Sequence, residues 1–276
     1  LLTRYAGAAC ILTGGVAILL WSQTSFRRRV RDVCAFGFGS SLPMFVWMLR
    51  NFAAGGAATD REFLFHPIGR SHLWQALYTA SGWSLIPAFA PDAVRVALGV
   101  AMFGGMVTAL ARPGIPSIVR VPALFVAVYS AFLATSISFF DANTPLDDRI
   151  LLPVFAAGLI IPLHFLDRAW PILRRVPTVA SLTVALLVAF LAGHSAKGIG
   201  GVSDSYAEGW GFSSLEWRQS ATLAQVRELP EGALIYANSP EIVYLHTGRT
   251  AAPIPKKWIP MNEQPNRDYA SQLMTA

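Results

Sequence analysis

The sequence predicts an α-helical polytopic membrane protein with about six transmembrane helices, followed by a small α/β extracytoplasmic domain. Hydrophobic residues make up 54% of the chain and charged residues 14%, whereas a soluble domain carries about a quarter charged residues. The shortage of charge is confined to residues 1–198, which contain long uncharged runs, while residues 199–276 resemble ordinary soluble sequence. We therefore expect one region in lipid and one in water.

Six segments approach the roughly 20 apolar residues that a spanning helix needs. We place them near residues 5–22, 33–49, 93–111, 119–140, 150–166 and 177–194. The fifth segment contains Pro153 and Pro162, and proline is tolerated in a membrane helix where neighbouring groups satisfy the freed carbonyls. We expect this segment to be a broken helix inside the bundle.

Arginines in three connectors predict the orientation. Residues 25–32 (SFRRRVRD), 111–120 and 167–175 each carry two or more arginines, which the positive-inside rule places in the cytoplasm. The connectors 50–92 and 141–149, and everything after residue 194, then face the outside. Within the first outer connector, HLWQALYTASGW (72–83) predicts a short helix, which lies in the membrane interface or packs on the bundle.

The tail, residues 199–276, is predicted to alternate helices and strands. SSLEWRQSATLAQVREL (213–229) has helical spacing with Ser213 or Ser214 as the cap, and ALIYAN (233–238) is typical of a buried strand. A second helix is expected from Ser239-Pro240-Glu241 to Gly248, followed by a parallel strand in TAAPIP. GIGG (198–201) is interpreted as a flexible linker between the two regions. The chain begins without a basic leader, so we expect it to be a fragment of a larger membrane protein.

Charge and motif content narrow the function. The membrane region carries sixteen basic and eight acidic residues, and the excess is clustered in short loops, which suits anionic lipid headgroups better than nucleic acid. The sequence has no zinc spacing, phosphate-binding glycine loop or nucleophile motif. No spacing of carboxylates argues for a divalent metal, whose requirement stays open.

The connector between the fourth and fifth segments is the first candidate site. In FFDANTPLDDRILLPVF (139–155), Asn143-Thr144-Pro145 supplies a turn, and Asp147, Asp148 and Arg149 precede the next helix. An arginine at this depth suits a bidentate contact with a phosphate, and the neighbouring aspartates can orient it or bind a polar substrate group. The alternative is that these charges only solvate the turn.

Further candidates lie at the same predicted depth. Arg4-Tyr5 and Arg50 would join Arg149 in a cationic collar, unless each arginine extends to the interface singly. The stretch ATDREFLFHP (58–67) adds Arg61 and His66. His66 suits proton transfer or ligand binding, or is a solvated loop histidine.

Four segments in this order carry a family resemblance: LLTRYAGAACILTGG, MLRNFAAGGAATDREFLFHP, TPLDDRILLPVFAAGLIIPL and GALIYANSPEIVYLHTGRTAAPIP. Together they resemble polytopic glycosyltransferases of the GT-C fold, of the phospholipid-carrier-dependent type related to protein mannosyltransferases and aminoarabinose transferases. The third segment is similar to a late outer loop and following helix with a (D)R-x-L-x-P pattern. The fourth is similar to the soluble tail of many bacterial members.

The resemblance implies a multi-pass protein of the bacterial inner membrane and cell envelope. It implies an inverting transfer of a sugar from a polyprenyl-phosphate donor to a lipid, glycan or protein acceptor on the outer face. It also implies a carboxylate base in an outer loop upstream of Leu1, so the catalytic residue is unassigned and this stretch alone is expected to be inactive. The candidate substrate-binding residues are Arg149, Asp148, Asp147, Arg4, Tyr5, Arg50, Arg61 and His66.

Two other function classes stay open. A transporter or flippase for a lipid-linked or anionic solute would use the same arginines and the broken fifth helix. However, no internal repeat is present and almost every charge lies at a helix end, unlike a typical transporter. The third possibility is a non-catalytic membrane scaffold whose tail binds a partner.

Overall fold

The computed structural model describes residues 7–55, 63–84, 86, 89–259 and 264–275. These residues form two compact units. The helical unit extends to Leu182, and the second unit begins at Thr183 and contains the strands. The division falls inside one long helix.

Helices dominate the first 208 residues. In the described part they are α1 (Ala8–Trp21), α2 (Phe26–Gly55), α3 (Arg70–Trp83), α4 (Asp92–Ala111), α5 (Ser117–Phe139), α6 (Asp148–Gly158), α7 (Ile160–Leu173) and α8 (Pro177–Glu208). Helix α3 agrees with the short helix predicted at 72–83.

Five helical stretches of the described chain are long and apolar enough to cross a membrane: α2, α4, α5, α6 with α7, and α8. They confirm the prediction of a helical membrane protein. The first predicted span, 5–22, corresponds to α1, whose 14 residues fall short of the roughly 20 that a spanning helix needs. Residues 1–6 lie outside the described part.

The first basic connector, predicted at 25–32, is wrong as a loop because α2 already begins at Phe26. Its arginines therefore occupy the first turns of that helix. Arg29 turns back to the preceding connection, where Nε donates to the Thr24 carbonyl and Nη1 to the Leu19 carbonyl, both at 3.0 Å. The short connection is thus fastened to the end of α1.

The fifth segment is longer than the predicted 150–166 and consists of α6 and α7. Pro162 explains the interruption, because it has no N–H and its ring crowds the carbonyl of Gly158, where α6 ends. The backbone of Leu159 remains helical: its N–H donates to Phe155 at 3.0 Å and its carbonyl accepts from Leu163 at 3.3 Å. The backbone between α6 and α7 therefore stays helical, although one hydrogen bond of the helix is missing at Pro162.

The sixth segment also exceeds its predicted limits of 177–194. Helix α8 has 32 residues, and GIGG (198–201) lies inside it, so the interpretation as a flexible linker is wrong. At 1.5 Å per residue the helix is about 48 Å long, which exceeds the ~30 Å hydrocarbon core of a bilayer.

Helix α5 forms the centre of the helical unit, where it packs against α1, α4, α6 and α7. Towards its end it buries Tyr129, Leu133 and Ile137 against Leu151 and Val154 of α6. Towards its start it packs in a second cluster, formed by Ala109, Ile115, Val119, Ala123 and Ile161. The remaining apolar side chains of the long helices are largely exposed, as expected of surfaces that face lipid.

The second unit contains short elements. They are α9 (Leu215–Arg218), α10 (Ala221–Glu228), β1 (Tyr236–Ala237), α11 (Pro240–Thr247), β2 (Ala252–Pro253), β3 (Trp258–Ile259), β4 (Gln264–Pro265) and α12 (Tyr269–Thr275). Strands β1 and β2 pair in parallel, whereas β3 and β4 form an antiparallel pair that the sequence did not reveal. The predicted α/β character is therefore present in strands of only two residues.

Local signals explain the helix limits in this unit. The predicted helix 213–229 is split, because Ser220 leaves the helical conformation and caps α10 by accepting from the Leu223 N–H at 3.4 Å. The second predicted helix is confirmed as α11, and Gly248 ends it with a φ of 71°, a conformation that favours glycine. Ile242 and Val243 of α11 pack with Leu223 as the core.

Candidate functional site

The candidate site lies where α3, the connection after α5 and the start of α6 meet. We call α3, residues 140–147 and the first turn of α6 the loop end of the helical unit. Asp147, Asp148 and Arg149 lie here, as predicted from the sequence. Arg4, Tyr5 and Arg61 lie outside the described residues.

Polar side chains of α3 hold the connection 140–147 in place. His72, Gln75 and Thr79 follow the i, i+3, i+7 spacing of one helix face. His72 Nε2 donates to the Ala142 carbonyl at 3.0 Å, while Gln75 Oε1 accepts from the Leu146 N–H at 3.0 Å and Thr79 Oγ1 donates to the Leu146 carbonyl at 2.7 Å. Leu146 itself is buried. The connection is therefore a fixed loop and not a freely solvated turn.

Both aspartates at the start of α6 have structural partners. Asp147 is the N-cap, and its carboxylate accepts from the Ile150 N–H at 3.0 Å. Asp148 accepts from the indole Nε1 of Trp83 at 3.0 Å, and the Trp83 ring packs against Phe155 of α6 with centroids 5.1 Å apart. The two contacts of Trp83, which belongs to α3, set the position of the start of α6 relative to α3.

Arg149 is exposed, with 65% of its side chain accessible against 42% for Asp147. Its Nη2 lies 3.9 Å from Asp147 Oδ2, at the limit of an ion pair. A cation in the first turn of a helix is disfavoured by the helix dipole. Fold stability therefore gives little reason for an arginine here, and its guanidinium faces solvent at the end of an apolar helix.

Arg50, predicted for the collar, and the separate candidate His66 have different surroundings. Arg50 lies within α2 and places its guanidinium over the Trp47 ring, 5.2 Å from the centroid. His66 is only 9% exposed and its backbone N–H donates to the Ser138 carbonyl at 2.6 Å, so the interpretation as a solvated loop histidine is wrong. The structure assigns neither residue to a common site with Arg149.

Sequence reasoning missed Arg95, which is 2% exposed in the first turns of α4. Its Nη1 donates to Ser81 Oγ of α3 at 2.6 Å, and its guanidinium lies over the Tyr78 ring, 4.3 Å from the centroid. Tyr78 in turn donates to Asp92 at 3.0 Å. An arginine inside an apolar segment was the available signal, because such residues are rarely unpaired.

The second unit has a cavity of about 570 Å³ beside the parallel strands, lined by residues 231–236 and 248–252. The guanidinium of Arg249 is already hydrogen-bonded to the protein backbone. Its Nη1 donates to the carbonyls of Val226 and Leu229 at 2.8 and 2.7 Å, which closes the end of α10. The guanidinium beside this cavity therefore stabilises the fold and is not available to a charged ligand.

Comparison of the chain with protein-family models, with curated proteins and with solved structures found no match. Within the described residues, no group of three or more His, Cys, Asp or Glu side chains is arranged to hold a metal ion.

Proposed function

We propose that the protein is a membrane glycosyltransferase that moves a sugar from a polyprenyl-phosphate donor to a lipid, glycan or protein acceptor. In this proposal the loop end binds the donor phosphate through Arg149. The observation that carries it is an exposed arginine at the start of a membrane-length helix, on a loop whose backbone is fixed from α3. The ordered resemblance of the four sequence segments supports the same function.

Preorganisation is the physical reason why such a loop suits the reaction. Charge develops on the leaving phosphate in the transition state. A hydrogen-bond donor of the protein that is already in position stabilises this charge without reorganisation. The bonds from Gln75 and Thr79 to Leu146, with the cap of Asp147, fix the backbone that presents Arg149. The guanidinium fork matches two phosphate oxygens, for which lysine is a poorer substitute.

Asp147 and Asp148 have a supporting function in this scheme. One carboxylate caps α6 and the other accepts from Trp83, so neither is proposed as the base. The base is assigned to an outer loop that precedes Leu1 in the family pattern. The outward orientation of the loop end and an inner-membrane location belong to the same proposal.

The alternative of a transporter is less well supported. It depends on a fifth helix that opens to offer backbone carbonyls to a solute. Leu159 keeps helical hydrogen bonds on both sides, so the interruption at Pro162 exposes little backbone.

Binding of a polyprenyl-phosphate sugar to the intact protein in detergent tests the proposal. Arg149→Ala is expected to weaken donor binding about tenfold or more, because a charge-assisted hydrogen bond is lost. Arg149→Lys is expected to recover part of the affinity, and the exposed Arg70→Ala serves as the matched control. No donor binding by the wild type would contradict the enzyme proposal. Equal binding by wild type and Arg149→Ala would remove only Arg149 from the site.

A further inference from the structure

The end of the helical unit opposite to the loop end concentrates positive charge. It comprises residues 22–32, 108–121 and 164–178, which we call the arginine end. These segments contain nine arginines and two aspartates, a formal excess of seven positive charges. The arginines are Arg27, Arg28, Arg29, Arg31, Arg112, Arg120, Arg168, Arg174 and Arg175.

Contacts join these three segments into one surface. Arg29 bonds the carbonyl of Leu19 near the end of α1. Arg120 donates to the Arg112 carbonyl at 2.8 Å and places its guanidinium 5.9 Å from the Trp21 ring. Arg168 reaches the Gly114 carbonyl at 3.4 Å. The arginines of α2, α5 and α7 thus lie around the ends of α1 and α4.

Eight of the nine arginines divide into two groups. Arg29 and Arg120 donate to carbonyls at helix ends, where a cation also complements the helix dipole, and Arg168 donates to the Gly114 carbonyl in the connection after α4. Arg31 lies beside Asp32 at 3.4 Å. The remaining five are exposed, and within the described residues none of them takes part in an ion pair: Arg27, Arg28, Arg112, Arg174 and Arg175. Fold stability does not account for this second group.

Exposed apolar side chains occur in all three segments of the arginine end. Phe26 is 74% exposed beside Arg27, Ile118 is 72% exposed near Arg120, and Ile172 is 66% exposed beside the pair Arg174-Arg175. These residues occupy the ends of helices long enough to cross a membrane. Guanidinium groups close to helix ends, together with exposed apolar groups in the same segments, match the phosphate and acyl parts of a lipid.

We propose that the arginine end binds the phosphates of anionic lipid headgroups through Arg27, Arg28, Arg112, Arg174 and Arg175. The guanidinium forks hold phosphate oxygens, while the apolar residues at the same helix ends contact the acyl chains. A soluble phosphate offers only the first of these contacts. This proposal is independent of the glycosyltransferase proposal, since it concerns the other end of the unit.

The test uses the intact protein in nanodiscs that contain phosphatidylcholine with increasing phosphatidylglycerol. Native mass spectrometry measures the phosphatidylglycerol retained, and the midpoint of thermal unfolding measures the stabilisation. Arg27/Arg28→Gln and Arg174/Arg175→Gln are compared with the matched pair Arg50/Arg70→Gln at or near the other ends of helices. Arg27/Arg28→Lys keeps the charge without the fork and controls for misfolding.

We expect a loss of phosphatidylglycerol affinity of about fivefold for each arginine removed from the arginine end, with a smaller loss at high salt. The lysine pair should retain part of the affinity and the Arg50/Arg70 pair nearly all of it. Equal losses in all three glutamine pairs would overturn the proposal. Full competition by millimolar glycerol phosphate would also overturn it, because the surface would then take free phosphate instead of lipid.

Discussion

At the loop end of the helical unit, neutral and acidic side chains bond the backbone of one connection, whereas at the arginine end guanidinium groups bond carbonyls of helix ends and connections. His72, Gln75 and Thr79 all bond residues 142–146, and the two arginines of this end, Arg70 and Arg149, are exposed. At the other end three arginines bond backbone carbonyls, Arg31 lies beside Asp32, and the remaining five are exposed. The loop end therefore has two arginines, of which only Arg149 lies at the start of α6, whereas the arginine end has nine.

This difference indicates how the two ends serve a membrane protein. One guanidinium on a fixed loop suits recognition of one phosphate in a defined position. Many guanidinium groups on flexible side chains suit a phosphate-rich surface, where no single position matters. Substitutions at each end therefore test which side chains stabilise the fold and which are exposed without such a function.

The largest effect is expected at Arg95, which anchors α4 to α3 at the loop end. Arg95→Ala should lower the free energy of unfolding by about 3 kcal/mol, because it removes a buried charge-assisted bond to Ser81 and the contact with the Tyr78 ring. Unfolding in mixed detergent micelles measures the change. The exposed Arg112→Ala is the matched control, and an equal cost there would contradict the distinction between the two ends.

The next effect is expected where α3 holds the connection. Gln75→Ala leaves the Leu146 N–H buried without its acceptor, which should cost about 2 kcal/mol. Gln75→Glu keeps an acceptor oxygen and should cost less. The same unfolding measurement compares the two variants, and a Gln75→Ala protein as stable as the wild type would mean that the connection is not held by α3.

A smaller effect is expected at the helix cap. Asp147→Ala should cost about 1 kcal/mol, because the Ile150 N–H loses its acceptor, while Asp147→Asn can still cap the helix. Hydrogen exchange of the first turn of α6 localises the change. If the asparagine variant exchanges as fast as the alanine variant, the carboxylate charge and not the cap stabilises this turn.

The smallest effect concerns the two groups of arginines. Arg29→Ala removes two bonds to carbonyls and should cost about 1 kcal/mol, whereas Arg27→Ala should cost less than about 0.5 kcal/mol. Unfolding in zwitterionic detergent, without anionic lipid, measures both. Equal costs would show that the division into structural and free arginines is wrong.

Much of the fold follows from local sequence patterns. Apolar length locates the membrane helices, and the signals Ser239-Pro240 and Gly248 place α11 correctly. The patterns failed where tertiary contacts or cooperative helix formation determine where a helix begins and ends. The basic residues 27–31 continue α2, GIGG continues α8, and Ser220 ends one helix and caps the next. Glycine and arginine do not forbid a helix, so a strong neighbouring helix extends through them.

The site was predicted only in part for a related reason. The sequence locates Asp147, Asp148 and Arg149 at the start of a helix, because the turn before them is local. It does not show that Trp83 holds Asp148, since these residues are 65 positions apart. His66 looked like a solvated loop residue until its burial beside Ser138 was known.

Local patterns are sufficient to predict the membrane-length helices, the clusters of basic residues near helix ends and the small α/β tail. These properties depend on composition and on spacing within one element. Which charged groups have partners depends on how the helices pack. Arg95 is buried against Ser81, Asp147 and Asp148 at the start of α6 both accept hydrogen bonds, and Arg149 is exposed. The reason is that hydrogen bonds between distant residues depend on how helices pack, which no local pattern records.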